Sequence, residues 1–242
     1  MLRVGTILIW LALVPPAPAQ SREDRQAQRL GPLEITFRPD ELVVRRGARE
    51  WRILMSRLPV RAADCDIPTE REHCEALPGQ SPCVECMYDP SPLAWDEARE
   101  SLYLAVATGI SKNRPWIIFR YRLGDGQITR VTVDYGAGFD WGTLSPSGQY
   151  LAYVAYASNG ICGTDSSIKV IDLRSQQSAS TRYGTRSDDE IVSIQSLRWA
   201  TAAALEYSAE IHSGSDCRQA GPGNYSKRTV TDRVEIVKLG LR

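Results

Sequence analysis

The stretch Leu144-Ser145-Pro146-Ser147-Gly148-Gln149-Tyr150-Leu151-Ala152-Tyr153-Val154-Ala155-Tyr156 decides the fold. Pro146 and Gly148 are turn residues, and residues 150–156 are all aromatic or aliphatic. Because successive side chains of a strand point to opposite faces, both faces of this strand are apolar. Such a strand has no face suited to water, so we predict that it lies between two packed layers. A second apolar strand is predicted at residues 168–173.

The same layout recurs along the chain. Residues 95–131 contain an apolar lead, a polar turn, an apolar strand, and a hairpin turn at Gly124-Asp125-Gly126. A weaker copy covers residues 197–239, and an earlier one is expected to begin near Phe37. The copies are spaced by roughly 50 to 58 residues, a period typical of propeller blades.

Residues 145–153, followed by residues 168–173 ending in Asp172-Leu173, resemble a blade of the TolB-type (WD40-like) β-propeller family. Ser147 stands where that family usually has Asp. The resemblance implies an all-β fold, a small or incomplete propeller-like stack of three to four four-stranded repeats. Because this family's rings usually have six or more blades, a four-bladed unit, an open stack and a two-sheet sandwich all remain open.

The chain divides into a secretory signal and one domain. Residues 1–19 combine a basic start, an apolar run and the small residues Ala17-Pro18-Ala19, which indicates a signal peptide. Residues 20–242 are predicted to form a single propeller-like β domain with an irregular Cys/Pro-rich insertion at about 61–94. We expect a secreted or periplasmic protein with no transmembrane segment in the mature chain.

The six cysteines are predicted to form disulfides, because export implies an oxidising compartment. Cys162 and Cys217 follow equivalent strands of two repeats at nearly the same interval, so we predict a Cys162–Cys217 bridge. The remaining cysteines are expected to form two structural disulfides; a zinc site with His73 and a redox-active Cys83–Cys86 pair are the alternatives. These four residues are Cys65, Cys74, Cys83 and Cys86.

No constellation of catalytic residues is predicted, and neither is a cofactor or a metal site. His212 is interpreted as an exposed loop residue, since no nucleophile elbow or triad pattern accompanies it. Asp125 and Asp165 are interpreted as turn residues rather than calcium ligands. Asn224-Tyr225-Ser226 fits the N-glycosylation pattern, which matters only in a eukaryotic source.

Tryptophans recur near strand starts, where packing between repeats is the expected role, with a binding face as the alternative. They are Trp51, Trp95, Trp116, Trp141 and Trp199. Phe139, Asp140 and Trp141 form the preferred exposed cluster and the candidate binding face, because they precede a strand in a Gly-rich connection.

The sequence therefore indicates an exported, non-enzymatic binding or scaffold module whose partner is another protein. The 29 basic and 29 acidic residues balance, which disfavours nucleic acid as a partner. The alternative is a secreted hydrolase, or a thiol- or metal-dependent redox protein that uses residues 65–86. A third possibility is that the chain completes a larger propeller; the oligomeric state is left open.

Overall fold

The computed structural model describes residues 27–38, 41–64, 87–108, 114–158, 164–181, 190–213 and 226–241. Antiparallel strands dominate these residues, with short 3₁₀ turns at Met55–Arg57, Ala62–Asp64 and Ile236–Leu239. No helix among them has the length and apolar character needed to cross a bilayer. The strands are β1 (Gln28–Leu30), β2 (Leu33–Phe37), β3 (Glu41–Arg46), β4 (Arg49–Leu54), β5 (Met87–Asp96), β6 (Ser101–Thr108), β7 (Arg114–Arg122), β8 (Ile128–Gly136), β9 (Gly138–Leu144), β10 (Tyr150–Ser158), β11 (Thr164–Asp172), β12 (Ser178–Ser180), β13 (Glu190–Thr201), β14 (Ala204–Ser213) and β15 (Ser226–Glu235).

The strands form four consecutive antiparallel meanders. The first sheet is β1–β4, the second β5–β8, the third β9–β12, and the fourth contains β13, β14 and β15. The leading strands β1, β5, β9 and β13 lie next to one another along one edge of the stack. This is the blade order of a propeller, so the all-β, repeated, propeller-like prediction is confirmed. The fourth sheet differs from the expected pattern because its described part has three strands.

Three apolar layers fill the spaces between the four sheets. Strand β10 supplies two of them: Leu151 and Tyr153 face the second sheet, while Ala152 and Val154 face the fourth. Strand β6 is likewise buried along its whole length. The prediction that these strands are sandwiched between layers is therefore confirmed, and the hydrophobic effect on both faces fixes the order of the stack.

The tryptophans contribute to these layers. Trp116 is almost fully buried, and the indoles of Trp51 and Trp95 pack against the layer between the first two sheets. Trp141 and Trp199 pack against the layer between the third and fourth sheets. Core packing is therefore confirmed as the role of all five.

The outward faces of the first and last sheets are polar. On the first sheet, Val43 excepted, charged side chains prevail; Arg45 contacts Glu50 at 2.9 Å and Arg52 contacts Glu50 at 3.1 Å. On the fourth sheet, Ala204 excepted, hydroxyl-bearing and charged side chains prevail on the outward face, among them Ser196, Ser208, Thr229, Thr231 and Arg233. Polar outer faces are typical of terminal repeats that end a stack.

Equivalent turns in the second and third sheets share one geometry. Leu123 N–H donates to Glu100 O at 2.9 Å, and Leu173 N–H donates to Gln149 O at 2.8 Å. Gly126 has φ +69° and Gln176 has φ +61° at the matching position. The left-handed region suits glycine, so the hairpin turn predicted at residues 124–126 is confirmed and Gln176 carries strain there.

Two boundaries differ from those expected. Strand β5 begins at Met87, inside the segment predicted to be irregular up to residue 94. Its prolines are tolerated because β5 pairs only with β6 and its register shifts near both of them. Strand β14 continues to Ser213, past His212, which was expected in a loop, because β13 and β15 are long enough to pair with it.

Candidate binding face

The two ends of the strands differ in the connections they carry. In a meander, successive connections alternate between ends, so β1–β2, β3–β4, β5–β6 and every second connection thereafter share one end. We call it the turn end, because all its connections are tight. Contacts between neighbouring sheets hold it together: Arg46 Nη1 lies 2.8 Å from Glu100 Oε1, and the Arg99 guanidinium lies over Gly148.

The opposite end, which we call the loop end, carries the long connections. Strands β6, β10 and β14 finish there, at Thr108, Ser158 and Ser213. All internal segments outside the described residues leave and re-enter the stack at this end. Those segments contain all six cysteines, His73 and Asn224, so the predicted disulfides, the zinc and redox alternatives, and the glycosylation pattern lie outside the described residues.

Aromatic rings fill the seam between the second and third sheets at the loop end. Trp116 stacks on Phe139 with ring centroids 5.1 Å apart, and Phe139 packs on Tyr153 at 5.0 Å. Phe139 is only 5% exposed. The expectation that Phe139 belongs to an exposed cluster is therefore wrong, because the ring is drawn into the seam by the two aromatic neighbours.

The other members of that predicted cluster are half-buried. Asp140 accepts a hydrogen bond from Tyr156 Oη at 3.0 Å, and Trp141 packs against the layer between the third and fourth sheets. Burial, and then the Asp140 carboxylate, raises the pKa of Tyr156 to about 12. The hydrogen bond to Asp140 thus fixes the ring of Tyr156. Only the exposed part of the Asp140 side chain is available to a partner.

A charged network lies deeper in the same seam. Asp134 of β8 accepts hydrogen bonds from Tyr153 Oη at 2.5 Å and Lys169 Nζ at 2.6 Å. Tyr153 and Lys169 are directly opposed in the β10–β11 register, and Asp134 also accepts the backbone N–H of Tyr135 at 2.7 Å. Burial, and then the carboxylate, holds the pKa of Tyr153 well above its ordinary value.

This network is suited to fastening sheets rather than to catalysis. Tyr153 is fully buried, so its hydroxyl cannot meet a substrate. Asp134 has three donors and is 8% exposed, so its carboxylate is occupied. A hydrogen-bonded charge of this kind stabilises the docking of one sheet on the next.

A second polar contact anchors the start of the Cys-rich segment. The Arg130 guanidinium binds the Asp64 carboxylate through two nitrogens, at 2.6 and 2.8 Å. Thr108 Oγ1 donates to Asp64 O at 2.8 Å, and Thr108 also pairs with Met87, where the chain resumes. Both ends of the segment are thus held next to Thr108 on the second sheet.

His212 and the acidic turn residues were the remaining candidates. His212 lies in β14 opposite Ile191 and Lys227, half-buried, with Nε2 3.7 Å from Glu210 Oε2. The interpretation as a loop residue is therefore wrong, because the strand extends through it.

Asp125 caps its own turn, accepting the Gln127 N–H at 3.0 Å, which confirms the turn interpretation. Asp165 lies within β11 rather than in a turn. No group of three or more potential metal ligands occurs among the described residues.

Two loop-end residues were not anticipated. Tyr135 is 54% exposed, and Arg114 stacks over Trp116 at 5.1 Å with its Nε buried and without a hydrogen-bond partner in the described structure. They lie on opposite faces of the second sheet, since Pro115 opposes Tyr135 and Gly136 opposes Arg114. The sequence could have indicated that these two residues lie at the loop end, because each lies at the end of a strand beside a connection.

Comparison with known proteins assigns no family: no protein-family model and no curated protein matches the chain. Among solved structures, an oligogalacturonate lyase in complex with manganese is 10% identical with a TM-score of 0.41, covering 83% of this chain and 50% of that one. The Pyrococcus horikoshii acylaminoacyl peptidase is 12% identical with a TM-score of 0.37, covering 63% and 23%.

The β-propeller domain of the Trilobed protease from Pyrococcus furiosus is 15% identical with a TM-score of 0.32, covering 52% and 38%. The chain thus spans half or less of the length of each of these structures. At such identities and TM-scores, these likenesses carry no argument about activity, and the fold assignment rests on the sheets described above.

Proposed function

We propose that this protein is an exported, non-enzymatic binding module that holds another protein at the loop end of its stack. The observation that carries the proposal is the asymmetry between the two ends: tight turns at one end and every long connection at the other. A rigid scaffold that presents loops on one face is the usual arrangement of a recognition surface.

The described loop-end residues support a protein partner. Tyr135 and Arg114 are of the residue types enriched at the centres of protein interfaces. The Arg114 guanidinium is held over Trp116, and the backbone of Tyr135 is fixed by the Asp134 carboxylate, so less side-chain and backbone freedom is lost on binding. Balanced charge supplies no long-range attraction for nucleic acid.

Export remains part of the proposal and rests on residues 1–19. Cleavage there would place the mature domain in the periplasm or outside the cell, where its cysteines would form disulfides. The Asp64–Arg130 contact then has a structural purpose, because it holds the start of a cross-linked segment against the second sheet.

Site-specific photo-crosslinking tests the proposal. A benzophenone amino acid is placed at Tyr135 on the loop end, and at the exposed Ser175 on the turn end as the matched control. Irradiation in the native host is expected to yield a discrete adduct from Tyr135 and none from Ser175. Equal adducts from both positions, or adducts from Ser175 alone, would contradict a loop-end interface.

A thiol and metal assay separates the enzymatic alternative. The purified protein is expected to show no reactive thiols and no bound zinc. Two reactive thiols within residues 65–86, or one equivalent of zinc, would instead support a thiol- or metal-dependent activity.

A further inference from the structure

Within the described residues, the fourth sheet ends one strand earlier than the others. The first three sheets finish in β4, β8 and β12 as fourth strands, whereas β15 is the outermost described strand of the fourth. β15 spans ten residues, and most of its side chains are exposed. A long strand edge with which no described strand pairs is a template for pairing with another strand.

We propose that β15 pairs antiparallel with β15 of a second copy, so that two fourth sheets join into one six-stranded sheet across a twofold axis. This goes beyond the loop-end binding function and does not depend on it. The shared surface is the strand edge, and the occupant is the same segment of a second identical chain.

The charges along β15 select one register. In this register a twofold axis runs perpendicular to the sheet, midway between Thr231 of one copy and Thr231 of the other. Lys227 then lies opposite Glu235 of the second copy. Lys227 Nζ already lies 2.7 Å from Glu210 Oε1 on β14. Glu235 Oε1 lies 3.0 Å from Arg233 Nε of its own strand. The proposed register brings this acid opposite Lys227 of the other copy, and opposite charges directly across a strand pair are stabilising.

Neighbouring registers are disfavoured by like charges. Moving the axis to Asp232 places that carboxylate opposite itself, and moving it to Val230 places Lys227 opposite Arg233. Like charges directly opposite one another destabilise a strand pair. A register shifted by a single residue would pair the outward-facing residues of one β15 with the inward-facing residues of the other. β15 is thus self-complementary about Thr231 in a way that an arbitrary edge strand is not.

Strand pairing alone joins a small area, so the dimer is expected to be reversible rather than permanent. The area available is the edge of one ten-residue strand and the outer-face side chains that flank it. A concentration-dependent equilibrium between monomer and dimer is therefore expected.

Cysteine cross-linking tests the register. Thr231→Cys places two thiols opposite each other at the axis, whereas Thr229→Cys, on the same exposed face of β15, faces Arg233 of the second copy. Under mild oxidation, T231C is expected to give a covalent dimer on non-reducing gels above the level of the unsubstituted protein. T229C is expected to stay at that level. Equal cross-linking of both variants, or none from T231C, overturns the proposed pairing.

Sedimentation velocity over a concentration series provides the second measurement. The unsubstituted protein is expected to shift from monomer to dimer, and Thr231→Glu is expected to raise the dissociation constant by roughly five- to tenfold, because two carboxylates then meet at the axis. Thr231 is exposed and opposes Ser208 within its own chain, so T231E leaves the monomer fold intact, which far-UV circular dichroism checks. A protein that stays monomeric at every concentration, or a T231E variant that dimerises normally, overturns the proposal.

Discussion

Replacing Lys169 by Met is expected to loosen the docking of the third sheet on the second. Lys169 Nζ lies 2.6 Å from Asp134 Oδ1, and the side-chain exposures are 19% for Lys169 and 10% for Asp134. The substitution preserves most of the aliphatic side chain and removes only the charge. The Asp134 carboxylate is then left nearly buried without a counter-ion.

The magnitude follows from that burial. Breaking a fully buried ion pair by removing one partner costs about 3–5 kcal/mol. Because Asp134 retains the Tyr153 hydroxyl and the Tyr135 N–H, we expect K169M to lower the free energy of unfolding by about 3 kcal/mol, at the lower limit of that range. Tyr153→Phe keeps the ring in the aromatic seam and loses one hydrogen bond to a charged group, so about 2 kcal/mol is expected.

Urea denaturation at neutral pH measures both changes. Lys238→Met serves as the control, since Lys238 is exposed in the final 3₁₀ turn, and a change within about 0.5 kcal/mol is expected there. The double variant of Lys169 and Tyr153 is expected to deviate from additivity, because both residues share one carboxylate. If K169M costs no more than K238M, the argument that this network joins the sheets is wrong.

Three further changes have clear expected outcomes. Gln176→Gly should raise the free energy of unfolding by about 0.5–1 kcal/mol in urea denaturation, because it relieves a positive φ, whereas Gly126→Gln at the equivalent position should lower it by a similar amount. Phe139→Ala should cost about 3–5 kcal/mol in the same assay, since it removes a buried ring stacked on Trp116; a cost below 1 kcal/mol would mean that the ring is exposed after all. The raised pKa of Tyr156, about 12 against the ordinary 10, means that its contribution to stability is present below pH 10 and is lost as the pH rises towards 12. Ultraviolet titration of the phenolates should show a step near pH 12, to which Tyr207 also contributes, and this step should shrink by one tyrosine in Tyr156→Phe; an unchanged titration curve would refute the assignment.

The layered architecture could be predicted because burial on two faces leaves a direct mark on a strand. In β10 the residues of both alternating sets are apolar, and in the structure one set packs into the layer facing the second sheet and the other into the layer facing the fourth. The tight turn before β10 was predictable because glycine favours turns, and Gly148 adopts the left-handed φ of +65° there. These features depend on local sequence alone.

The interior of the second–third seam could not be predicted in the same way. The register of β7 on β8 shifts between Ile118 and Phe119, so Val131 has no direct partner on β7. Asp134 consequently faces Tyr153 in the third sheet, on the same side as Val131, although simple alternation would separate them. A bulge of this kind is set by packing between sheets, which a local pattern does not contain.

The inward turn of Phe139 has a related cause. An aromatic residue beside glycines is equally compatible with an exposed connection and with a seam, and the choice depends on whether Trp116 and Tyr153 lie within reach. Tyr153 reaches Phe139 across the β9–β10 strand pair, but Trp116 belongs to the second sheet, so only the stacking of the sheets brings Trp116 to Phe139. Tyr135 is exposed for the complementary reason, because no described sheet covers that part of β8.

Amide hydrogen exchange followed by mass spectrometry tests the layered stack most directly. Peptides covering residues 102–106 and 150–156 lie in strands buried on both faces, and their amides should be the last to exchange, opening only with global unfolding. The short outer strand Ser178–Ser180 should exchange early. If the two central segments exchange as fast as that outer strand, β6 and β10 are not enclosed between sheets, and the account of the fold is wrong.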